Sequence, residues 1–181
     1  MRIISGKYKG RRFQLPKGLM ARPTTDFAKE GLFNVLSNRI DFDGLKVLDL
    51  FSGTGSIAFD FVSRGATDVT CVEQFSTHIK FIKSVAEKLN EPVTVISGDV
   101  YKFIGSSNKK YDLIFADAPF SDEKLSSIPD RIFKSGILED DGLLIVEHSG
   151  KTDFSKHNNF TEKRTYGSVN FSFFQPIQTE S

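Results

Sequence analysis

Four acidic residues stand at or next to the carboxyl ends of successive predicted strands: Asp49, Glu73, Asp99 and Asp117. The carboxyl ends of parallel strands meet at one edge of a sheet, where α/β proteins bind their ligands. Carboxylates there could accept hydrogen bonds from an ammonium group, from sugar hydroxyls and from amino groups on a base. The spacing of the four acids therefore predicts one acidic ligand site.

The stretch DLFSGTG, residues 49–55, predicts a tight turn between a strand and a helix. Its two glycines allow close approach of a ligand to the backbone. With Ala58 the turn also fits the G-x-G-x-x-A dinucleotide fingerprint, which keeps an NAD(P)-dependent oxidoreductase open as an alternative. A carboxylate at position 49 would repel a pyrophosphate, whereas it suits a cationic amine.

A ligand without phosphate agrees better with the other acids. Glu73 could accept both hydroxyls of a ribose, and Asp99 could accept an adenine amino group with Val100 or Tyr101 against the base. An amino acid end, a ribose and an adenine together describe S-adenosylmethionine. The predicted cofactor residues are Asp49, Phe51, Ser52, Gly53, Thr54, Gly55, Glu73, Gln74, Asp99, Val100 and Asp117. Three of the acids also have a structural alternative: Asp49 could cap the following turn, Glu73 could cap a helix before Phe75, and Asp99 could form an Asx-turn by accepting a nearby backbone amide.

The strand tip FADAPF, residues 115–120, predicts chemistry at an amino group. The lone pair of an exocyclic amine is delocalised into its base, so acceptors on both N–H groups would orient the nitrogen for attack. Asp117 could supply one acceptor and the backbone carbonyl of Ala118 the other. Pro119 restricts Ala118 to extended geometry, and Phe120 could stack on the target base. These four residues are the predicted catalytic group, and no metal site is expected.

Alternating strand and helix patterns would position these residues. They predict a mostly parallel sheet covered by helices on both faces. The predicted strands cover residues 45–51, 68–73, 92–97, 111–117 and 142–148, and the predicted helices cover the segment after Thr25, then 56–64, 75–89 and 121–135. A hairpin over residues 160–175 would add antiparallel strands at or near one sheet edge.

Composition and charge narrow the class of protein. The chain has 181 residues, which suits one domain, and its apolar runs are too short to span a bilayer. No secretion signal is evident and Cys71 stands alone, so we expect a core thiol and a cytoplasmic protein. The net charge is +1, but residues 1–22 contain seven basic and no acidic side chains. Clustered cations favour a polyanionic partner, and apolar residues such as Ile3 and Phe13 would anchor the segment as a small β-hairpin.

DLFSGTG, the later acids and the Asp-x-Pro-Phe tip resemble the Rossmann-like class I methyltransferases that modify exocyclic amino groups. More narrowly, the motifs RIISGKYKGRRF, RPTTDFAKEGLFNVL, VEHSG and RTYGSVNFSFF resemble the bacterial 16S ribosomal RNA guanine-N2 methyltransferases of the RsmD type. The resemblance implies a Rossmann-like class I methyltransferase fold, with a seven-stranded, mostly parallel sheet, a C-terminal antiparallel hairpin and a basic N-terminal hairpin. Ala118 departs from the family, whose tip has proline at that position.

The resemblance implies methyl transfer from S-adenosylmethionine to the exocyclic N2 amine of a guanine in 16S ribosomal RNA. Residues 1–22 would form an RNA-binding extension and residues 23–181 the methyltransferase domain. The predicted RNA contacts are Arg2, Lys7, Lys9, Arg11, Arg12 and Arg22. The expected partner is ribosomal RNA or the small ribosomal subunit, with the protein as a monomer away from membranes. Methylation of DNA adenine or a protein amide, and a non-catalytic RNA-binding assembly factor, remain alternatives.

Overall fold

A seven-stranded sheet is the centre of the computed structural model, which describes residues 1–19 and 24–177. The strands are β1 Lys46–Leu50, β2 Asp68–Glu73, β3 Val93–Ser97, β4 Tyr111–Ala116, β5 Leu138–His148, β6 Phe160–Tyr166 and β7 Val169–Phe174. The helices are α1 Asp26–Ser37, α2 Ser56–Arg64, α3 Ser76–Leu89, α4 Val100–Ser106 and α5 Ile128–Ser135. Their order confirms the predicted α/β fold.

The strand order β3-β2-β1-β4-β5-β7-β6 explains where a ligand would bind. Strands β1 to β5 pair in parallel, and β7 joins β5 and β6 in antiparallel pairs. The chain order reverses between β1 and β4, so a crevice opens beyond their carboxyl ends. The predicted C-terminal hairpin is therefore confirmed, and it forms one edge of the sheet.

Apolar side chains cover both faces of this sheet. One buried cluster includes Leu32, Phe59 and Ile82, from α1, α2 and α3. The other includes Ile104 and Ile132, from α4 and α5. Burial of apolar surface on both faces fixes the strand register, because a slip of one residue would exchange the faces. Cys71 is buried in the first cluster, as expected.

The N-terminal hairpin is less regular than predicted. Its two arms are joined by an isolated antiparallel bridge between Arg2 and Arg12, and a 3-10 helix, Gly6–Tyr8, forms its tip. At this tip Gly6 has a φ of +77°, which is outside the range of a regular strand. Gly6 also lies so close to α2 that a Cβ at this position would be 1.9 Å from the Ser63 carbonyl oxygen. The arms nevertheless bury Ile3 and Phe13 in the same core as α2.

A buried ion pair joins this N-terminal segment to the sheet-covering helices. The ammonium group of Lys29 on α1 lies 2.8 Å from the Asp60 carboxylate on α2, and both side chains are buried. Lys29 also donates to the carbonyl of Arg2 at 2.7 Å, while Asp60 accepts the amide of Ile4 at 2.8 Å. Burial raises the pKa of Asp60, and Lys29 partly offsets this effect.

Three element boundaries differ from the sequence expectation. Helix α4 was not predicted, although Asp99 marks its start by accepting the amide of Lys102. The helix predicted over 121–135 is reduced to a 3-10 turn, Leu125–Ser127, followed by α5. Strand β5 begins at Leu138, four residues before the predicted start at Gly142. Leu138 pairs with Tyr111, and the register between β4 and β5 then shifts so that Leu113 pairs with Leu143.

Candidate active site

A cavity of about 470 Å³ opens at the carboxyl ends of β1 and β4. It brings together almost every predicted catalytic and cofactor residue: Asp49, Phe51, Ser52, Gly53, Thr54, Glu73, Gln74, Asp99, Val100, Asp117, Ala118, Pro119 and Phe120. Gly55 is absent from this lining. It is the N-cap of α2 with a φ of +74°, and a Cβ there would meet Ile82 and Phe59 at 3.1 Å. Gly55 therefore shapes the turn and does not face the cavity.

The turn between β1 and α2 holds its backbone in an unusual conformation. Phe51 has a φ of +59°, a region that non-glycine residues rarely adopt. The Ser52 hydroxyl donates to the carbonyl of Asp49 at 2.6 Å, and the Ser52 amide donates to the carbonyl of Val72 at 3.2 Å. These bonds hold the strained turn against β2, so its backbone is fixed before a ligand arrives.

One oxygen of the buried Asp49 carboxylate lacks a hydrogen-bond partner among the described residues. Asp49 is 2% exposed, and its Oδ2 atom accepts no hydrogen bond within residues 1–19 and 24–177. The pKa of Asp49 is raised to about 8, chiefly because burial desolvates the carboxylate; a backbone amide contact from Ala58 lowers this pKa in part, and the charges of Glu73 and Glu147 raise it. A cationic amine would satisfy this oxygen, which agrees with the predicted role of Asp49.

Glu73 organises the backbone around the neighbouring part of the cavity. One carboxylate oxygen accepts the amide of Gly53 at 2.8 Å, and the other accepts the amides of Gln74 and Phe75 at 2.8 and 2.9 Å. Glu73 therefore does not cap α3, whose N-cap is Phe75, but binds the two backbone amides that lead into this helix. A carboxylate has about four acceptor positions, so Glu73 retains capacity for a sugar hydroxyl.

The adenine end of the predicted site lies at the start of α4. Asp99 accepts a nearby backbone amide, as its structural alternative proposed, and so caps this helix; it also lines the cavity with Val100 and Tyr101. The Tyr101 ring contacts Phe51 edge-on at 5.7 Å between centroids. Its hydroxyl donates to the Asp122 carboxylate at 2.8 Å. This side of the cavity therefore combines apolar surface with a polar rim.

The predicted catalytic tip, residues 117–120, also lines the cavity. The amide of Asp117 donates to the carbonyl of Leu50 at 3.3 Å, which places the tip beside β1. Ala118 is buried, whereas Asp117 and Phe120 are half-buried. The amide of Asp122 donates to the carbonyl of Pro119 at 2.8 Å and closes the turn. A carboxylate, a backbone carbonyl and an aromatic ring thus stand together at the cavity wall.

A buried contact that the sequence did not predict completes the cavity. The Thr24 hydroxyl donates to Glu147 on β5 at 2.6 Å, and both residues line the cavity. They lie in RPTTD and VEHSG, two of the motifs that resemble the family. Their partnership could not be read from local spacing because 123 positions separate them.

The predicted RNA-binding cations are spread along the N-terminal hairpin. Arg2 and Arg12 lie at its cavity end, because Lys29 joins the Arg2 carbonyl to the cavity-lining Ser56. The tip lies at the other end of α2, where the Tyr8 amide donates to the Ser63 hydroxyl. Arg22 lies outside the described residues.

Two of these cations are less available to bind RNA phosphate than we expected, because each forms an ion pair within the protein. Lys7 forms an ion pair with Glu91, and Arg2 forms one with Asp26 at 3.4 Å. The absence of acids within residues 1–22 did not reveal these partners, which come from later parts of the chain. Lys9, Arg11 and Arg12 are exposed.

Within residues 1–19 and 24–177, no group of three or more His, Cys, Asp or Glu side chains is arranged to hold a metal ion. No helix there is both long enough and apolar enough to cross a bilayer.

Comparison with known protein families assigns the chain. The family described as "Conserved hypothetical protein 95" matches residues 1–175, so the chain belongs to this family. The fold and its cavity define a class I methyltransferase, and the resemblance to RsmD-type enzymes is confirmed.

Two relatives and one solved structure show the extent of the similarity. "Putative rRNA methyltransferase YlbH" of Bacillus subtilis is 31% identical over 97% of this chain and 98% of its own length. "Ribosomal RNA small subunit methyltransferase D" of Buchnera aphidicola is 36% identical over 81% of this chain and 75% of its own. The structure of "Putative methyltransferase yhhF from Escherichia coli" superposes with a TM-score of 0.85 at 25% identity, covering 98% of this chain and 99% of that one.

Proposed function

We propose that this protein transfers a methyl group from S-adenosylmethionine to the exocyclic N2 amine of a guanine in 16S ribosomal RNA. The observation that carries the proposal is one cavity lined both by the buried carboxylate of Asp49 and by the Asp117–Phe120 tip. One oxygen of the Asp49 carboxylate has no hydrogen-bond partner within the described residues. Membership in a family with relatives named as rRNA methyltransferases supports the same reaction.

The cofactor residues fit S-adenosylmethionine in charge and shape. Asp49 would accept the amino group of its methionine end, and Glu73 would accept the ribose hydroxyls. Asp99, Val100 and Tyr101 would surround the adenine. When bound, S-adenosylmethionine supplies the electrophilic methyl group of a sulfonium, which needs neither a metal nor a covalent enzyme intermediate.

The tip would prepare the amine for attack. Asp117 and the carbonyl of Ala118 accept its two N–H groups, which directs the nitrogen lone pair toward the methyl carbon. The acceptors are most effective as positive charge develops on nitrogen, and Asp117 is placed to receive the proton that leaves. Phe120 stacks on the guanine, which must leave its own helix or loop to enter the cavity.

The substitution of alanine for the family's proline does not alter this arrangement. The acceptor at position 118 is a backbone carbonyl, and Pro119 still restricts the conformation of Ala118. The lost constraint on φ corresponds to about 0.5–1 kcal/mol of chain entropy. A non-catalytic assembly factor is therefore not favoured, and neither the dinucleotide alternative nor a DNA or protein substrate is favoured by the family assignment.

The substrate and cellular setting complete the proposal. The RNA is presented by the small ribosomal subunit or its precursor, and the protein acts as a cytoplasmic monomer. Residues 1–22 form the RNA-binding extension of a methyltransferase domain over residues 23–181. The exposed cations Lys9, Arg11 and Arg12 support an interaction of this extension with phosphate.

Tritiated S-adenosylmethionine offered to small ribosomal subunits, naked 16S rRNA and duplex DNA tests the proposed function. We expect label in an RNA substrate, recovered after digestion as N2-methylguanosine. Label in DNA as N6-methyldeoxyadenosine, or no transfer to either RNA substrate by the folded protein, would overturn the proposal.

A further inference from the structure

An exposed aromatic ring stands beside the cavity without lining it. Phe27, in the first turn of α1, is 66% exposed. Thr24 and Thr25, three and two positions earlier, line the cavity. Since consecutive Cα atoms are about 3.8 Å apart, the Phe27 backbone lies within about 8 Å of the cavity wall. Helix α1 therefore begins at the rim of the cavity, here the border that includes Thr24 and Thr25, and carries the exposed Phe27 ring on its first turn.

The position of Phe27 is supported by a second aromatic residue. Its ring meets Tyr166 in an edge-to-face arrangement, with centroids 6.0 Å apart and an interplanar angle of 81°. Tyr166 ends β6, and the turn that follows brings Ser168 and Val169 to the cavity wall. The aromatic pair thus joins two separate segments of the rim.

Gly31 explains how Tyr166 reaches this position. A Cβ at residue 31 would lie 2.1 Å from the Tyr166 ring, so only glycine leaves room for it. Glycine inside a helix costs about 1 kcal/mol relative to alanine. Helix α1 therefore has glycine at an interior position where alanine would favour the helix more, and this glycine leaves space for the Tyr166 ring that packs against Phe27.

Positive charge borders the same rim. The exposed cation is Arg12, which pairs with Arg2 through an isolated antiparallel bridge. Arg2 locates this pair beside Phe27, because its guanidinium lies 3.4 Å from the carboxylate of Asp26, the residue immediately before Phe27. An exposed ring beside cations is the combination that binds single-stranded nucleic acid, in which phosphates contact the cations and bases stack on the ring.

We infer that Phe27, held by Tyr166, is a stacking platform for an unpaired base of the RNA strand that contains the target guanine. This inference rests on the proposed function. When the guanine leaves its stack to enter the cavity, a neighbouring base loses a stacking partner. Phe27 replaces that partner outside the cavity, while Phe120 receives the guanine inside it.

Fluorescence tests the contact directly, because the chain contains no tryptophan. The variant F27W carries a single indole at the platform, and stacking of a base on it should quench its emission when 16S rRNA is added. The matched control is I177W, since Ile177 is also exposed, at 64%, and follows the carboxyl end of β7, whereas the cavity-lining Val169 lies at the other end of that strand. Quenching of F27W with little change in I177W is expected, and equal responses would overturn the inference.

Methyl transfer to the RNA substrate that the wild type accepts provides the functional test. Phe27→Ala and Phe27→Leu should raise the KM for RNA by about 5- to 150-fold, the range expected for one stacked base. F27W should keep a KM near that of the wild type, and the affinity for S-adenosylmethionine should be unchanged in all three. An unchanged KM in folded Phe27→Ala would overturn the platform and leave the proposed function intact. Failure of the wild type to methylate any RNA would instead overturn the proposed function.

Discussion

The hydroxyl of Tyr101 donates a hydrogen bond to the Asp122 carboxylate at 2.8 Å, and both residues line the cavity. Tyr101 belongs to α4, at the predicted adenine end. Asp122 closes the turn that begins at Pro119 and contains Phe120, because its amide donates to the carbonyl of Pro119. This hydrogen bond therefore connects the helix of the predicted adenine end with the loop of the predicted catalytic tip.

Removal of this hydroxyl should slow methyl transfer without abolishing cofactor binding. Tyr101→Phe keeps the ring that contacts Phe51 but releases Asp122, so we expect the single-turnover rate to fall about tenfold while cofactor affinity changes less than twofold. Tyr111→Phe is the control, since Tyr111 is a buried tyrosine at the start of β4, the opposite end of that strand. Equal rates in Tyr101→Phe and the wild type would show that the bond does not position the tip.

Much of this site was predictable from local patterns, and its long-range partners were not. Asp49 and Asp117 were located because apolar strands and glycine or proline turns mark where a parallel sheet ends. The sequence left open whether the Asp99 carboxylate binds a ligand or accepts a local backbone amide. In the structure it accepts the amide of Lys102 and so caps α4, a helix that the sequence did not predict. The bonds from Thr24 to Glu147 and from Lys29 to Asp60 depend on how distant segments pack, which no local periodicity encodes.

Protonation of Asp49 should couple cofactor binding to pH. Burial raises the pKa of Asp49 to about 8 from an unfolded value of about 3.9, so the carboxyl holds its proton at pH 7 in the free protein. Contact with an ammonium group favours the carboxylate, and binding at pH 7 should release up to about one proton. Titration calorimetry in two buffers of different ionisation enthalpy measures that number. We expect Asp49→Asn to bind more weakly and to release none.

The raised pKa of Asp49 also predicts that the free energy of unfolding of the free protein falls as the pH rises. A raised carboxyl pKa means that the folded state binds more protons than the unfolded state between about pH 4 and pH 8. The free wild type should therefore lose stability as the pH rises through that window, relative to Asp49→Asn. Urea unfolding at pH 5 and pH 8 checks this, and a stability difference that does not change with pH would contradict the raised pKa of the buried Asp49 carboxyl.

Position along the N-terminal hairpin should determine how much each cation contributes to RNA binding. Arg12 lies at the cavity end, whereas Lys9 lies beside the tip, where Tyr8 contacts Ser63. Arg12→Ala should reduce the slope of log affinity against log salt by about one, and Lys9→Ala should reduce it less. Filter binding of 16S rRNA at several salt concentrations compares these two single-charge variants. A larger effect of Lys9→Ala would place the RNA over the tip instead.

The most direct test of the account is the single-turnover rate of methyl transfer by Asp117→Ala, measured beside its melting curve. Loss of one preorganised acceptor should lower the rate about 10²–10³-fold, with near-normal affinity for RNA and S-adenosylmethionine. Asp117→Asn keeps an acceptor oxygen and should recover part of the rate. Asp140→Ala removes a fully exposed carboxylate on β5 and should not change it. A stable Asp117→Ala protein that transfers methyl groups at nearly the wild-type rate would contradict the assignment of Asp117 as the acceptor at the target amine.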